Sequence, residues 1–307
     1  MTRTNPASVT IGILGSGQLG RMLAIAAAQL GLRTHVFAPD ADNSPAGDIA
    51  HRTTTASYDD TAALATFAAD VDVITSELEN VPATVMDLLA NICPVSPGHT
   101  ALHTAQHRIR EKSLARELGI ATPQFWPIAS ANDLKAAMRG HGLPGIMKTC
   151  TLGYDGKGQV RIKPGDDMDA AFDSLGTDDA ILEEMVDCAA EASFLLARNA
   201  TGEISHFPAS LNHHRNGILA QSAAPAPLHD DIIAEGMNAV EKMAEALELF
   251  GLLALEAFVT VDGKLLFNEI APRPHNSFHW TIEGCATSQF AQLARLLAGM
   301  PFGATHS

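Results

Sequence analysis

Cationic side chains are scarce in this chain. Twenty Lys and Arg stand against 35 Asp and Glu, a formal net charge of −15. Nucleic-acid binding draws on clustered cations that release counterions, so this balance argues against a phosphate-coated polymer as partner. Any anionic ligand must be held by a few local charges. Cysteine is also sparse: Cys93, Cys150, Cys188 and Cys285 lie far apart with no C-x-x-C pair, which argues against a zinc site or a disulfide framework and reads as reduced thiols. No stretch reaches roughly 18 uncharged apolar residues, so no membrane span is expected. The opening "MTRTNPASVT" has no apolar run of the secretory kind, which makes a cytoplasmic location the expectation. Internal repeats and low-complexity tracts are lacking as well. What is present, 46% hydrophobic residues over 307 positions, suffices for a sizeable core divided among two or three domains.

The stretch "ILGSGQLGRM" carries Gly15, Gly17 and Gly20 in G-x-G-x-x-G spacing between an apolar run, "VTIGIL", and a helical pattern, "RMLAIAAAQLGL". A strand, a glycine turn and a helix N-terminus make an anion site, because unpaired backbone N–H groups point at whatever sits there. A dinucleotide further requires an acidic residue at the end of the second strand. Asp40 supplies one only beyond Pro39, so that requirement is half met. Strand and helix patterns alternate up to about residue 98, which predicts a parallel, helix-covered sheet with ligands at the strands' carboxyl ends. "SELEN" follows the strand "VDVIT", making Glu77, Glu79 and Asn80 candidates for holding hydroxyls or an amine. Solvated loop carboxylates, with Asn80 starting a helix, are the competing reading.

"GHTALHTAQHRIREKSLARELG" predicts one long amphipathic helix leading into a small α+β unit. In that unit Lys148 precedes "GYDGKGQ", residues 153 to 159. Three glycines in seven positions free the backbone to close over phosphates, and Lys148 and Lys157 bring charge. The loop is not a Walker A motif, and a Gly-Lys hairpin tip reads equally well. "ILEEMV" then offers a connecting segment along which an adenine can lie. The last region opens with a strand pair turning at "NATG". It continues with a helix from about Asp231 to Phe250, a second hairpin and a final helix, "SQFAQLARLLAG".

The second hairpin is the most informative. A two-residue turn at Asp262 and Gly263 sets Val261 opposite Lys264, Phe258 opposite Phe267 and Glu256 opposite Glu269. Two carboxylates facing each other at roughly 5 Å between Cβ atoms repel, so a cation is expected between them. One or two carboxylates plus substrate phosphates are the usual hold on Mg²⁺. Asn268, adjacent to Glu269, points to the other face unless a bulge intervenes. An exposed surface pair is the competing reading. A histidine metal cluster among His206, His213, His214, His275 and His279 has no supporting spacing.

The order lysine, glycine-rich loop, "ILEE", Glu191, then a Glu/Asn-Glu pair resembles the ATP-grasp enzymes. "GSGQLGRM", "ELENVP", "HRIREK", "GYDGKGQ", "NHHRNGIL" and "NEIAPRPHNSFHWTIEGCATSQF" resemble, more narrowly, the N5-carboxyaminoimidazole ribonucleotide synthase family of purine biosynthesis. The resemblance implies an N-terminal Rossmann-like domain (1–98), a central domain with a glycine-rich lid (99–185) and a C-terminal ATP-grasp domain (186–307). It implies an ATP- and Mg²⁺-dependent ligase that carboxylates 5-aminoimidazole ribonucleotide with bicarbonate through carboxyphosphate, with a homodimer as the expected assembly. By motif position it assigns nucleotide contacts to Arg108, Lys148, Gly153, Tyr154, Asp155, Gly156, Lys157, Gly158, Gln159, Glu183, Glu184, Val186, Glu191, His214, Asn268 and Glu269. Glu256 and Glu269 become the magnesium ligands. Tyr154, Asp155, Lys157, Arg273, His275 and Asn276 face the reacting groups, with Arg273 holding a bicarbonate or phosphate oxygen. Gly15, Ser16, Gly17, Gln18, Glu77, Glu79, Asn80 and Ser277 meet the ribonucleotide.

Leu211, His107, Phe278, Thr151 and Leu152 depart from the family pattern, and Phe278 is expected to narrow the reaction centre. Family chains continue past "LAGMPFG" into a segment whose cations bind the substrate phosphate. A chain ending at Ser307 is therefore expected to be a shortened form, with an altered substrate or a non-catalytic nucleotide-binding role as the alternative. An NAD-dependent oxidoreductase, resting on the opening glycines, is the more distant one.

Overall fold

The computed structural model describes residues 9–141, 144–151, 158–215 and 218–307. The first region alternates β1 (Thr10–Leu14), α1 (Gln18–Gln29), β2 (Arg33–Ala38), β3 (Arg52–Thr55), α2 (Thr61–Ala69), β4 (Val73–Ser76), α3 (Ala83–Ala90) and β5 (Val95–Ser96). These strands pair in parallel in the order β3-β2-β1-β4-β5. β1 and β4 are apolar because helices cover both faces; a Cβ on Gly12 would stand 2.7 Å from the Phe67 ring of α2. The strand order reverses between β1 and β4, which opens a crevice at their carboxyl ends. β3, "RTTT", was not expected as a strand. It is an exposed or half-exposed edge with no apolar signal.

The expected single helix over 98–119 is two, α4 (His99–Ala105) and α5 (Arg108–Glu117). No proline or glycine marks the break. Tertiary bonds make it: Gln106 donates to the carbonyls of Glu79 and Val81, both at 2.6 Å, and extended His107 lets Arg108 N–H reach the Cys150 carbonyl at 3.0 Å. The middle region holds β6 (Phe125–Ile128), α6 (Ala131–His141), β7 (Gly145–Thr149), β8 (Gln159–Ile162), α7 (Met168–Leu175) and β9 (Ala180–Glu184). Its antiparallel sheet, β6-β9-β7-β8, carries Met147, Ile162 and Leu182 against Leu134 and Met138 of α6 and Phe172 of α7.

The last region contains β10 (Cys188–Arg198), β11 (Ile204–His206), β12 (Ser210–Arg215), β13 (Ile218–Ala223), α8 (Asp230–Ala246), β14 (Gly251–Thr260), β15 (Leu265–Ala271), α9 (Thr281–Gly284) and α10 (Gln289–Leu297). Its strands run β13-β12-β10-β14-β15, with β11 on β10. α8 stops four residues before the expected Phe250, where Glu248 takes φ 47° and turns the chain into β14. One core joins Ile11, Ile13, Leu23 and Ala27 to Phe278, Phe290, Leu293 and Leu297, so the first and last sheets share an interior. Each fully buried Leu or Phe there contributes about 1.5–3 kcal/mol.

Candidate active site

The second hairpin turns through three residues rather than two. Thr260 N–H bonds the Lys264 carbonyl at 2.9 Å, with Gly263 at φ 79°. Phe258 therefore faces Leu266, and Val259 faces Leu265, one position off the expected register. A β-bulge at Asn268 then restores it, so Glu256 does face Glu269. The bulge is the stated exception to the opposite-face placement of Asn268, which turns to the same cavity as both carboxylates.

That cavity, about 810 Å³, is lined by Arg108, Lys148, Gly158, Gln159, Glu191, His214, Glu256, Asn268, Glu269, His275 and Asn276 among others. Lys148 on β7 donates to Glu183 at 2.8 Å, and His214 Nδ1 on β12 lies 2.9 Å from Glu191 on β10. That hydrogen bond raises the His214 pKa. Burial opposes the Glu183 charge, but Lys112 and Lys148 hold its carboxyl down at about 2. The two hairpin carboxylates separate in character. Burial, then Glu269, pushes Glu256 up to about 7; Glu269 stays low against its own burial because the Arg108 guanidinium donates to it at 2.9 Å. Two facing carboxylates with the Asn268 amide beside them form an oxygen-donor set that fits a hard divalent cation such as Mg²⁺. The pair is not a freely solvated one: the Glu256 side chain is 15% exposed, and Glu269, 38% exposed, is held by Arg108.

Arg108, Glu269, His275 and Asn276 also line a second cavity of about 630 Å³, whose far side carries Glu79, Asn80, Arg110, Cys150, Thr151 and Arg273. These four residues are thus a wall between two chambers. Burial and then Arg273 push the His275 imidazole down to about 3, so it is neutral at working pH. Its Nδ1 meets Ser277 Oγ at 2.8 Å and its Nε2 lies 3.6 Å from Glu256. Arg273 sits on the second chamber, ion-paired with Glu79 and donating to its own Pro274 carbonyl at 2.8 Å.

The opening glycine turn departs from expectation. Gly15, at φ 104°, donates its N–H to the Phe37 carbonyl at 3.0 Å. The N–H groups of Gly17 and Gly20 are taken by the carboxylate of Glu77, at 2.6 Å for Gly20. The anion at this helix end belongs to the chain itself, and Glu77 is 3% exposed. Asp40 accepts from Ser16 Oγ at 2.7 Å, closing the turn further. A dinucleotide pyrophosphate would have to displace Glu77, and Gly15, Ser16, Gly17, Gln18 and Glu77 line neither chamber.

Ser277 is also not at a chamber surface. Fully buried, it joins Ser193, Asn212 and Glu256 through bonds of 2.9, 3.3 and 3.3 Å, a polar cushion under the carboxylate. Phe278 does not narrow the site: it packs with Phe207 and Trp280 in the core, 0% exposed. Glu184 and Val186 lie at the end of β9 and just beyond it, outside the chamber walls, and Leu211 packs beside β10. Gly153, Tyr154, Asp155, Gly156 and Lys157, with Leu152, fall outside the described residues. Ser193, Asn212 and Gln289 were missed by sequence reasoning. Gln289 bonds both the N–H and the carbonyl of His275, at 2.8 and 2.9 Å, and a polar residue opening an otherwise amphipathic helix is its only sequence signal.

Residues 113–290 match the ATP-grasp domain, and residues 8–106 match the ribonucleotide synthetase preATP-grasp domain. The chain is 45% identical to the N5-carboxyaminoimidazole ribonucleotide synthase of Brucella melitensis, over 99% of this chain and 84% of that protein. The chain belongs to the N5-carboxyaminoimidazole ribonucleotide synthase family. It is also 44% identical to the bifunctional purine synthesis protein of Dictyostelium discoideum over 97% of its own length, although it spans just 31% of that longer protein. Among solved synthases, an ADP complex superposes with TM-score 0.94 at 37% identity, over 100% of this chain and 81% of that one. The Aspergillus clavatus synthase, solved with ADP and 5-aminoimidazole ribonucleotide, gives TM-score 0.88 at 27% identity, over 98% and 79%. The family fold is ATP-grasp, and its members are ATP-dependent ligases that form a carbon–nitrogen bond.

Proposed function

We propose that this chain carboxylates 5-aminoimidazole ribonucleotide on its amine, using ATP, bicarbonate and Mg²⁺, to give N5-carboxyaminoimidazole ribonucleotide, ADP and phosphate. The observation that carries this reading is the pair of chambers sharing one wall of Arg108, Glu269, His275 and Asn276. ATP in the first chamber and the ribonucleotide in the second would meet at that wall, where carboxyphosphate forms and reacts without crossing solvent. Bicarbonate and the γ-phosphate are both anionic, so the first step needs positioned cations more than covalent help from the protein. Mg²⁺ held by Glu256 and Glu269 would supply charge neutralisation on the transferring phosphoryl group.

Within the chain, Lys148 provides a phosphate-facing cation oriented by Glu183. Arg108, fixed on Glu269, presents charge to both chambers. Neutral His275 offers a hydrogen bond without repelling a cation. Gly153 to Gln159 are assigned as the cover over the phosphates, with Tyr154, Asp155 and Lys157 toward the intermediate, shielding an acyl phosphate from water. Glu184, Val186, Glu191 and His214 are assigned to the nucleoside; Glu79, Asn80 and Arg273 are assigned to the ribonucleotide. Cytoplasmic location and homodimerisation belong to the same proposal, and sedimentation equilibrium tests the dimer. The enzymatic test is phosphate release from ATP: it should require Mg²⁺, rise with ribonucleotide plus bicarbonate, and vanish in Glu269→Gln. Turnover indifferent to both substrates rejects the assignment.

A further inference from the structure

Among the described residues, the bulged stretch of β15 lies at the border of its sheet, with β14 on one side and no strand on the other. Helix α5 lies on that open side, and three of its side chains reach it. Arg108 donates to Glu269 at 2.9 Å, Glu111 accepts from Ile270 N–H at 3.0 Å, and Lys112 donates to the Asn268 carbonyl at 2.7 Å. Positions i, i+3 and i+4 share one helix face, so the spacing in "HRIREK" delivers all three together. Lys112 and Glu111 are 0% and 2% exposed. Charges so deeply buried are costly unless paired, and removing a partner leaves the other uncompensated. Lys112 is paired twice over: its Nζ also lies 3.3 Å from Glu183, the carboxylate that holds Lys148 at 2.8 Å.

We propose that Lys112 and Glu111 are positioning residues for the cation site: they fix the β-bulge that turns Asn268 and Glu269 to the same side as Glu256, and Lys112 couples that backbone to Lys148 through Glu183. The bulge is the feature that brings Asn268 into the chamber, and α5 bonds the backbone at Asn268 and at Ile270, on either side of Glu269. This inference rests on the reading that Asn268, Glu269 and Glu256 hold a divalent cation with a nucleotide. Lys112 lines neither chamber, so its effect must appear through the groups it holds; Glu111 also borders the second chamber, so its variants are judged on Mn²⁺ binding alone.

The test is ADP-dependent Mn²⁺ binding, read by electron paramagnetic resonance, alongside KM for the ribonucleotide. Lys112→Met should weaken Mn²⁺ binding about 10-fold or more, the usual cost of losing an outer support of a metal ligand, and leave the ribonucleotide KM within a few-fold. Glu111→Leu should weaken Mn²⁺ binding to a similar extent. Glu111→Gln, whose amide oxygen still accepts from Ile270 N–H, should recover most of the loss. Should Lys112→Met not fold, the two Glu111 variants decide alone. A folded Lys112→Met or Glu111→Leu that binds Mn²⁺ with ADP as tightly as wild type, whatever its melting temperature, overturns the proposal. Wild-type protein that binds Mn²⁺ with ADP but does not turn over the ribonucleotide overturns the functional reading alone, since the binding comparison still decides the positioning role.

Discussion

The glycine turn after β1 and the β14–β15 hairpin both bury carboxylates, and they treat them in opposite ways. At the turn, Glu77 meets two backbone N–H groups and completes the fold from within. At the hairpin, Glu256 faces Glu269 with only long hydroxyl bonds from Ser193 and Ser277, at 3.4 and 3.3 Å, and burial pushes it up to about 7. A buried acid supplied with short N–H bonds is a structural fastening; a pair of acids facing each other across a chamber fits the cation site proposed above. The G-x-G-x-x-G turn is therefore the motif the fold consumes, whereas the acid pair lines the chamber proposed to carry the chemistry.

The sharpest way to break this contrast is Glu256→Gln. Turnover should fall by on the order of 10²-fold, matching several kcal/mol of lost charge stabilisation, while the ligand-free protein becomes more stable at pH 8. Glu256 titrates at about 7 in the fold against an ordinary 4.5. The stability from its raised pKa is fully present below pH 4.5 and lost as pH rises through 7. Removing the acid should recover on the order of 2 kcal/mol at pH 8, seen as a melting temperature that no longer falls across that window. Glu77→Leu should behave in reverse, costing about 2–4 kcal/mol by stranding two N–H groups and leaving ADP affinity unchanged by calorimetry. Gly17→Val is subtler: a Cβ there stands 2.9 Å from Glu77 Oε1 and must displace it. Because Gly17 lines neither chamber, a loss of about 1–3 kcal/mol of stability with ATP binding and the ribonucleotide KM unchanged is expected, read by melting temperature. The smallest effect belongs to Phe278→Leu, about 1 kcal/mol of stability with both KM values intact, because its ring fills core rather than chamber.

Sequence reasoning located Glu256 opposite Glu269 through two displacements that cancel. The turn is one residue longer than counted, and the bulge at Asn268 absorbs the difference. Periodicity reveals neither, since a Gly in the left-handed region serves both turn lengths. The parallel first sheet, the middle unit and the last hairpin were legible because their apolar patterns match their burial. The α4–α5 break was not, because the bonds that make it come from Glu79, Val81 and Cys150, distant in sequence. β12 and β13 were hidden by polarity: "SLNHHR" shows no clean apolar alternation, because Asn212 and His214 build the cushion and the chamber. The glycine turn was right about an anion-binding backbone and silent about whose anion it binds.

Helix α5 carries one more consequence. An uncovered strand at the border of a sheet is a template on which a second chain can pair and aggregate. β15 has such a border, and it is apolar: Leu265, Phe267 and Ile270 are all buried. Side chains of Glu111 and Lys112 occupy the Ile270 N–H and the Asn268 carbonyl that an incoming strand would need. The contacts that hold the bulge in place thereby also protect the newly folded molecule from its neighbours, so variants that loosen α5 should lose solubility on heating before they lose secondary structure.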